Sequence, residues 1–256
     1  MREILNGNVV FELNDELWFP HPEELYVDDR DNVIRYIGAG DQGFIAVGGD
    51  LRTERLLLAY DNGYFPWYPF RKCEIHWYCP RQRFVIFPEE IHVSHSMRTL
   101  MNKHQYRVTF NTAFDQVIRG CGTVDGRIND YGAWLGDNVV EAYTRLHELG
   151  RARSVEVWRG DTLAGGLYGV TCGNGFVGES MFSLEPSASK LALIALARHM
   201  QEHGGMLIDC QEPTPHLKSM GGRFIGYKEY ITLMRGPEAY HSPDDSPTRN
   251  GFAVIV

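Results

Sequence analysis

The sequence predicts an α+β protein, with a small N-terminal unit followed by a larger one in which antiparallel strands mix with helices. Three observations lead there. Up to about residue 70 the apolar runs are short and turns frequent, as at Asn6-Gly7, Pro20-His21-Pro22 and Asp28-Asp29. Between Val155 and Phe182 three strand-like runs are separated by tight turns, the pattern of a meander. Amphipathic helices are expected on either side of that meander. The boundaries read as 1–70 for the small domain, 71–235 for the larger one, and 236–256 for a loose tail carrying Pro, Ser and Asp.

Taken in order, Gly43 to Val47 reads as a strand and Gly48-Gly49-Asp50 as a turn. Thr53 is placed to cap a helix over Glu54 to Asn62 that Gly63 ends. Phe65-Pro66-Trp67-Tyr68 cannot extend it, because proline follows at once. HWYCPRQRFVIF, from His76, has strand character throughout. Ser94 to Lys103 reads as a helix, a strand begins at Tyr106, and Thr112 to Arg119 is a short helix. Gly120 to Gly132 is rich in Gly, Asp and Asn and is expected to be a surface loop. Asp137 is placed to cap a helix with Val139, Val140, Tyr143, Leu146 and Leu149 on its apolar face, closed by Gly150. The meander strands are Val155 to Trp158, Leu163 to Thr171 and Phe176 to Phe182, with turns at Arg159-Gly160-Asp161 and Cys172 to Gly175. A helix over Ala188 to His203 stops at Gly204-Gly205, and MLIDCQ, from Met206, is a short buried strand.

Composition excludes several classes. Of 256 residues, 43% are apolar and 23% charged, so the chain is neither disordered, collagen-like nor a coiled coil. No run approaches the roughly 20 apolar residues of a membrane span. The N-terminus lacks the apolar core of a signal peptide, so a cytoplasmic, membrane-free protein is expected. The five cysteines form no CxxC pair, which points to reduced thiols and no metal site. A net charge of −8 gives no bulk attraction to nucleic acid. Locally, Arg81, Arg83, Arg98, Lys103 and Arg107 face only Glu89 and Glu90 along the chain, and a basic face of this kind can meet phosphates.

Some motif matches dissolve on inspection. GAGDQG at Gly38 to Gly43 is followed by a strand and turn, not by the helix N-terminus that a dinucleotide fingerprint needs. Ser187 to Lys190 fits S-x-x-K, but the companion S-D-N and K-T-G motifs are absent. Two acids carry more information. Asp209 in Leu207-Ile208-Asp209-Cys210-Gln211 and Glu179 in Phe176 to Phe182 sit in apolar strands, where an isolated charge is expensive. Along a strand, Asp209 and Gln211 share a face roughly 7 Å apart. Residue type leaves two readings open, structural acids held by backbone amides or a functional site.

GFIAVGGDL, RLLLAYDNGYFPWY, HWYCPRQR, EAYTRLHELG, SVEVW, LAGGLYGV, GESMFS, ASKLAL and LIDCQ together resemble the leucyl/phenylalanyl-tRNA–protein transferases, from about Phe19 to Met234. GESMFS followed by the aspartate of LIDCQ is the specific pair. The resemblance implies a small N-terminal domain and a GNAT-like catalytic domain, with a mainly antiparallel sheet flanked by helices. It implies transfer of Leu or Phe, and also Met, from aminoacyl-tRNA to the α-amine of proteins with N-terminal Arg or Lys. The product is marked for regulated proteolysis. No cofactor and no metal are implied, and a monomer is expected. Carried over by motif position, Asp209 and Gln211 would be the polar catalytic pair, and Glu179 would hold the basic side chain or amine of the acceptor. Leu167, Met181 and Ile208 would line the pocket for the transferred side chain. Trp67, Trp134 and Tyr143 would pack near the terminal adenosine and aminoacyl group. Arg83, Arg98 and Lys103 would meet the tRNA. His147, Gly150 and Ala152 also match the spacing of the GNAT pyrophosphate loop, but a plain helix end at Gly150 is the preferred explanation.

Overall fold

A computed structural model describes residues 2–4, 8–22, 26–27, 33–34, 43–67, 74–123, 128–129, 132–133 and 135–236. The expected tail from 237 onward, Trp134 and most of the GAGDQG stretch lie outside the described residues. The chain divides into two compact units, one drawn from Met1–Gln82 with Gly226–Val256, the other from Arg83–Ile225.

The first unit contains β1 (Arg2–Ile4), β2 (Asn8–Leu13), β3 (Tyr26–Val27), β4 (Val33–Ile34), β5 (Phe44–Gly48), α1 (Thr53–Asp61), β6 (Phe65–Trp67) and β7 (His76–Tyr78). Five of the strands form one sheet in the order β1-β2-β5-β7-β6. Thr53 opens α1 rather than capping it, and Arg52 holds the cap position with its N–H on Asp50 Oδ1. Helix Tyr227–Arg235 belongs to this unit, and its Tyr227 hydroxyl donates to the Asn62 carbonyl at the end of α1.

The larger unit contains β8 (Gln82–Ile86), a 3-10 turn at Pro88–Glu90, α2 (His95–Asn102), β9 (Arg107–Phe110), α3 (Phe114–Thr123), β10 (Ile128–Asn129), β11 (Gly132–Ala133), α4 (Asp137–Glu148), β12 (Ala152–Arg159), β13 (Thr162–Cys172), β14 (Gly175–Ser183), α5 (Ala188–Glu202), β15 (Leu207–Asp209), α6 (Pro215–Ser219) and β16 (Arg223–Gly226). Seven strands make one sheet, ordered β16-β8-β15-β14-β13-β12-β9. The meander pairs are antiparallel as predicted, and β14 and β15 run parallel. This is the α+β architecture that the sequence predicts, a mainly antiparallel sheet flanked by helices.

Helices cover both faces because two adjacent glycines let them approach. Successive residues of a strand face opposite sides. A Cβ on Gly165 would stand 2.7 Å from the Ala188 Cβ at the start of α5, and one on Gly166 would stand 3.2 Å from Val117 of α3. Val155, Val157, Leu167, Phe176 and Ile208 therefore pack under α5 with Leu191, Ala192 and Leu196 in one buried cluster. Tyr168 faces the other way, edge-on to Phe114 of α3 and Tyr143 of α4.

Three local expectations are corrected. HWYCPRQRFVIF is not one strand: it breaks at Cys79-Pro80 into β7 and β8, which join different sheets, because proline has no N–H to donate to a ladder. The loop expected from Gly120 is helical as far as Thr123. Gly120 is there for contact, since a Cβ on it would stand 2.6 Å from the Phe182 ring, and Cys121 is fully buried. Asp137 is the first residue of α4 rather than its cap, a position where its charge suits the helix N-terminus, and Leu149 lies past the helix end, 60% exposed.

Candidate active site

The site is built where β14 and β15 part. Their pairing runs Gly175–Leu207, Phe176–Ile208 and Val177–Asp209, and there β15 ends while β14 continues to Ser183. On the other side of β14, Tyr168 pairs with Ser180 but Gly169 pairs with Gly178, so Glu179 is an extra residue, a β-bulge. The bulge turns the Glu179 carboxylate toward α4, where the Tyr143 hydroxyl donates to Oε2 at 3.1 Å.

Asp209 closes β15 and is completely buried. Its neighbour Ile208 faces α5, so Asp209 faces the α3 and α4 side, as do Arg83 and Val85 of the adjacent strand β8. The Arg83 guanidinium pairs with Asp209 Oδ2, both side chains buried. Asp209 Oδ1 accepts the Gln211 backbone N–H at 3.0 Å, a tight turn that holds Gln211 at φ 61°. This corrects the strand reading: Gln211 is turned back by the carboxylate two residues before it and is not a further step along β15. From there Gln211 Nε2 donates to Glu179 Oε1 at 3.1 Å. A continuous polar chain results, from Arg83 through Asp209, Gln211 and Glu179 to Tyr143. Arg83 and Tyr143 are buried ends, while Glu179 and Gln211 are half-buried.

Between them lies Cys210. Burial, and then the Asp209 charge, push its thiol well above the ordinary range, so it stays protonated and unreactive.

The structure therefore brings Asp209, Gln211, Glu179 and Tyr143 together. Tyr143 enters as a hydroxyl donor as well as an aromatic wall. Leu167 and Met181 pair directly across β13 and β14 and share the α5-side cluster with Ile208, the first and last buried and Met181 half-buried. Polar and apolar candidates thus occupy the two faces of the sheet at the point where the strands separate. Trp67 ends β6 in the first unit, half-buried, with its ring 5.6 Å from that of Tyr78. Trp134 lies outside the described residues. Arg98 on α2 and Lys103 just after it are exposed.

Arg83 is the correction. Expected among the cations that meet tRNA, it is 1% exposed and committed to Asp209. A guanidinium spent on a buried carboxylate cannot reach a phosphate in solvent. The signal was present: Arg83 opens the apolar run Phe84-Val85-Ile86-Phe87, and the argument applied to Asp209, that a charge in an apolar strand must be paired, applies equally to it. His147 resolves as structure, with its ring stacked 4.2 Å from that of Phe114 and Nδ1 2.9 Å from the Ala152 carbonyl oxygen. Among the described residues no group of three or more His, Cys, Asp or Glu is gathered as a metal ion would require, and no helix is long and apolar enough to cross a membrane.

Two family models match the chain. Residues 85–235 match the leucyl/phenylalanyl-tRNA protein transferase model, and residues 49–81 match the model of that family's N-terminal domain. A leucyl/phenylalanyl-tRNA–protein transferase of Flavobacterium psychrophilum is 46% identical over 87% of this chain and 98% of its own. One from Syntrophobacter fumaroxidans is 46% identical over 91% of this chain and 93% of its own, and one from Stutzerimonas stutzeri 50% identical over 72% and 80%. Likeness to the structure of L-PGS from Bacillus licheniformis is low, at 12% identity and a TM-score of 0.37 over 65% of this chain and 52% of that one. With both models and these relatives in agreement, the chain belongs to the leucyl/phenylalanyl-tRNA–protein transferase family.

Proposed function

We propose that this enzyme moves leucine or phenylalanine, and also methionine, from aminoacyl-tRNA to the α-amine of proteins that begin with Arg or Lys, in the cytoplasm and as a monomer, marking them for regulated proteolysis. The observation that carries the reading is the polar chain from Asp209 through Gln211 to Glu179 at the parting of β14 and β15, with Leu167, Met181 and Ile208 on the opposite face. The aminoacyl side chain enters the apolar side, lined by Met181, whose flexible thioether accepts leucine, phenylalanine and methionine alike. The ester carbonyl then lies in the gap between the strands, and the acceptor N-terminus comes from the Glu179 side.

The ester is already activated, so the protein's task is aim and proton handling. The amine nitrogen attacks the carbonyl carbon and forms the new C–N bond. The C–O bond to the terminal ribose breaks, and the proton lost by the amine passes to the leaving ribose oxygen. Gln211 donates through Nε2 to Glu179, which leaves its Oε1 to accept from the amine. Asp209 fixes that orientation through the Gln211 backbone. Glu179 already accepts two hydrogen bonds, and a carboxylate has room for further donors from a guanidinium or ammonium. Trp67 and Trp134 pack near the terminal adenosine, and Arg98 and Lys103 meet tRNA phosphates.

The test is a transfer assay with radiolabelled Leu-tRNA and two peptides that differ only in an N-terminal Arg or Ala. Label on the Arg peptide alone supports the reading. Label on neither, with Phe-tRNA also inert, overturns it.

A further inference from the structure

A cleft lies at the start of β14, away from the transfer site. It holds about 390 Å³ where the turn between β13 and β14 meets the end of α5, joined there by the Met206 N–H on the Asn174 carbonyl. Gly175 lines it, and Met181 is six residues further along β14, roughly 20 Å in an extended strand. The floor is apolar, with Val155, Phe176, Leu196 and Met200 buried beneath it. Three rings make one wall. The Phe110 and His199 centroids are 4.7 Å apart, and those of His199 and His203 are 4.2 Å apart. His203 is held there, with Nδ1 2.7 Å from the His199 carbonyl oxygen.

The polar lining is of one kind. No Asp or Glu lines the cleft, whereas Arg153 does. Its side chain is exposed, and among the described residues no carboxylate pairs with it. Asn111 adds a fixed donor: its Oδ1 accepts the Ser154 backbone N–H at 3.0 Å, which leaves its amide nitrogen to donate. The volume is that of a small-ligand pocket, roughly 300–1,000 Å³. An apolar floor, a wall of rings and donors without an acid suit a flat ring that carries an anion. A guanidinium takes a phosphate through two parallel N–H bonds, and phenyl and imidazole rings stack on nucleobases.

We propose that this cleft is a nucleotide site separate from the transfer site: the base packs on the wall of Phe110, His199 and His203, and the phosphate meets Arg153 and Asn111. The proposal does not rest on the transfer reading. Two sources share this chemistry, a free nucleoside monophosphate and an unpaired nucleotide of a bound RNA, and the experiment separates them. A structural role for Arg153 is the rival. A Cβ on Gly150, just past α4, would stand 3.6 Å from a terminal nitrogen of Arg153, where a cation also suits the carbonyl end of that helix.

The whole protein is titrated with inosine monophosphate, inosine and inorganic phosphate, and the ring signals of His199 and His203 are followed by NMR. Inosine replaces adenosine because the transfer reading gives adenosine a place elsewhere. The monophosphate is expected to shift both rings saturably. Arg153→Gln should weaken it about tenfold, to the level of inosine. His203→Ala, followed through His199, should also weaken it about tenfold, the scale of one stacked base. Both side chains are exposed, so both variants are expected to fold. Rings that do not shift in the wild type overturn the proposal. Equal binding by the wild type and either variant overturns it too, and for Arg153→Gln leaves a plain cap on α4. So does inorganic phosphate that binds as tightly as the monophosphate, since the wall then takes no base. The source is read from filter binding of Leu-tRNA, which needs no turnover. A Kd about tenfold higher in Arg153→Gln, with a salt slope reduced by about one, assigns the nucleotide to the RNA. An unchanged Kd assigns it to a free nucleotide. A wild type whose rings shift but which labels no peptide overturns the transfer reading alone, whereas labelled peptide with unmoved rings overturns this proposal alone.

Discussion

Glu156 and Asp209 are buried to the same degree, sit in strands of one sheet and face the same side of it, yet the protein treats them differently. Glu156 is met by neutral donors. Ser154 Oγ reaches its Oε1 at 2.5 Å, and Thr109 and Thr112 hydroxyls reach Oε2 at 2.5 and 2.9 Å. These contacts tie β9, β12 and the approach to α3 together, and Thr109 Oγ1 also accepts from Trp158 Nε1 at 2.8 Å. Asp209 is met by one full positive charge and one backbone N–H, and its partners lead on to half-buried Gln211 and Glu179. A carboxylate ringed by hydroxyls is a staple. A carboxylate whose bonds run on, through an amide, to a second carboxylate can do chemistry. The difference lies in what the donors connect to, since burial is equal.

The largest effect is expected at Asp209. Asp209→Ala leaves a guanidinium buried without its carboxylate, and removal of one partner of such a pair costs about 3–5 kcal/mol. Loss of transfer in that variant would mix chemistry with folding. Asp209→Asn keeps an acceptor for Arg83 and is the cleaner variant, with transfer expected to fall roughly 100-fold in single-turnover assays at near-wild-type folded fraction. Transfer at the wild-type rate would remove Asp209 from the mechanism. Glu156→Gln is the counterpart. It should lower stability in urea melts by about 1–3 kcal/mol, because a hydroxyl is left without its acceptor. Transfer per folded molecule should stay within about twofold, the margin within which a residue outside the reacting chain leaves kcat. A larger fall would erase the distinction between staple and site.

How far the sequence reaches is clear from the same two residues. An acid inside an apolar strand marks Asp209 and Glu179, and the β-meander, α4 and α5 follow from periodicity and turn residues. The same mark stands at Val155-Glu156-Val157, where it signifies only packing. What separates the cases is the identity of partners 44 and 47 residues away, set by the pairing of Glu156 with Thr109 across β9 and β12. No local pattern encodes that register. Arg83 was within reach, since a cation beginning an apolar strand demands a partner, but a charge count along the chain groups it with exposed Arg98 and Lys103. Gly120 misleads for a related reason. A glycine reads as a helix breaker until the Phe182 ring it accommodates is known.

The apolar face offers a finer test. Met181 is half-buried opposite Leu167, at the edge of the cluster where Ile208 and Leu167 are closed off. If the transferred side chain enters there, Met181→Ala should shift the ratio of Leu to Phe transfer by up to about tenfold, the scale of a few methylenes in an apolar pocket. It should leave the pH profile alone, because Met181 is off the polar chain. An unchanged ratio would put the pocket elsewhere and leave the two faces without their division of labour.

The smallest effect expected concerns the physical rule behind the comparison, that burial disfavours charge unless a partner offsets it. His216, on α6, is half-buried, with Nε2 enclosed and without a hydrogen-bond partner. Burial first, and then the Lys190 ammonium on α5, lower its pKa from the usual 6.5. The folded chain therefore binds this proton more weakly than the unfolded chain. Above about pH 7 both states are neutral here and the residue contributes no pH dependence. As pH falls below 6.5 the unfolded chain takes up the proton first, so stability declines with acidification. Lys190→Met removes the lesser cause. The His216 imidazole, followed by NMR, should then titrate higher than in the wild type but still below 6.5, and the loss of Tm between pH 7.5 and 5.5 should shrink slightly. A wild-type imidazole that titrates at or above 6.5 would mean that burial is not disfavouring its charge, and the reading of Asp209 as a carboxylate that needs Arg83 would lose its physical ground.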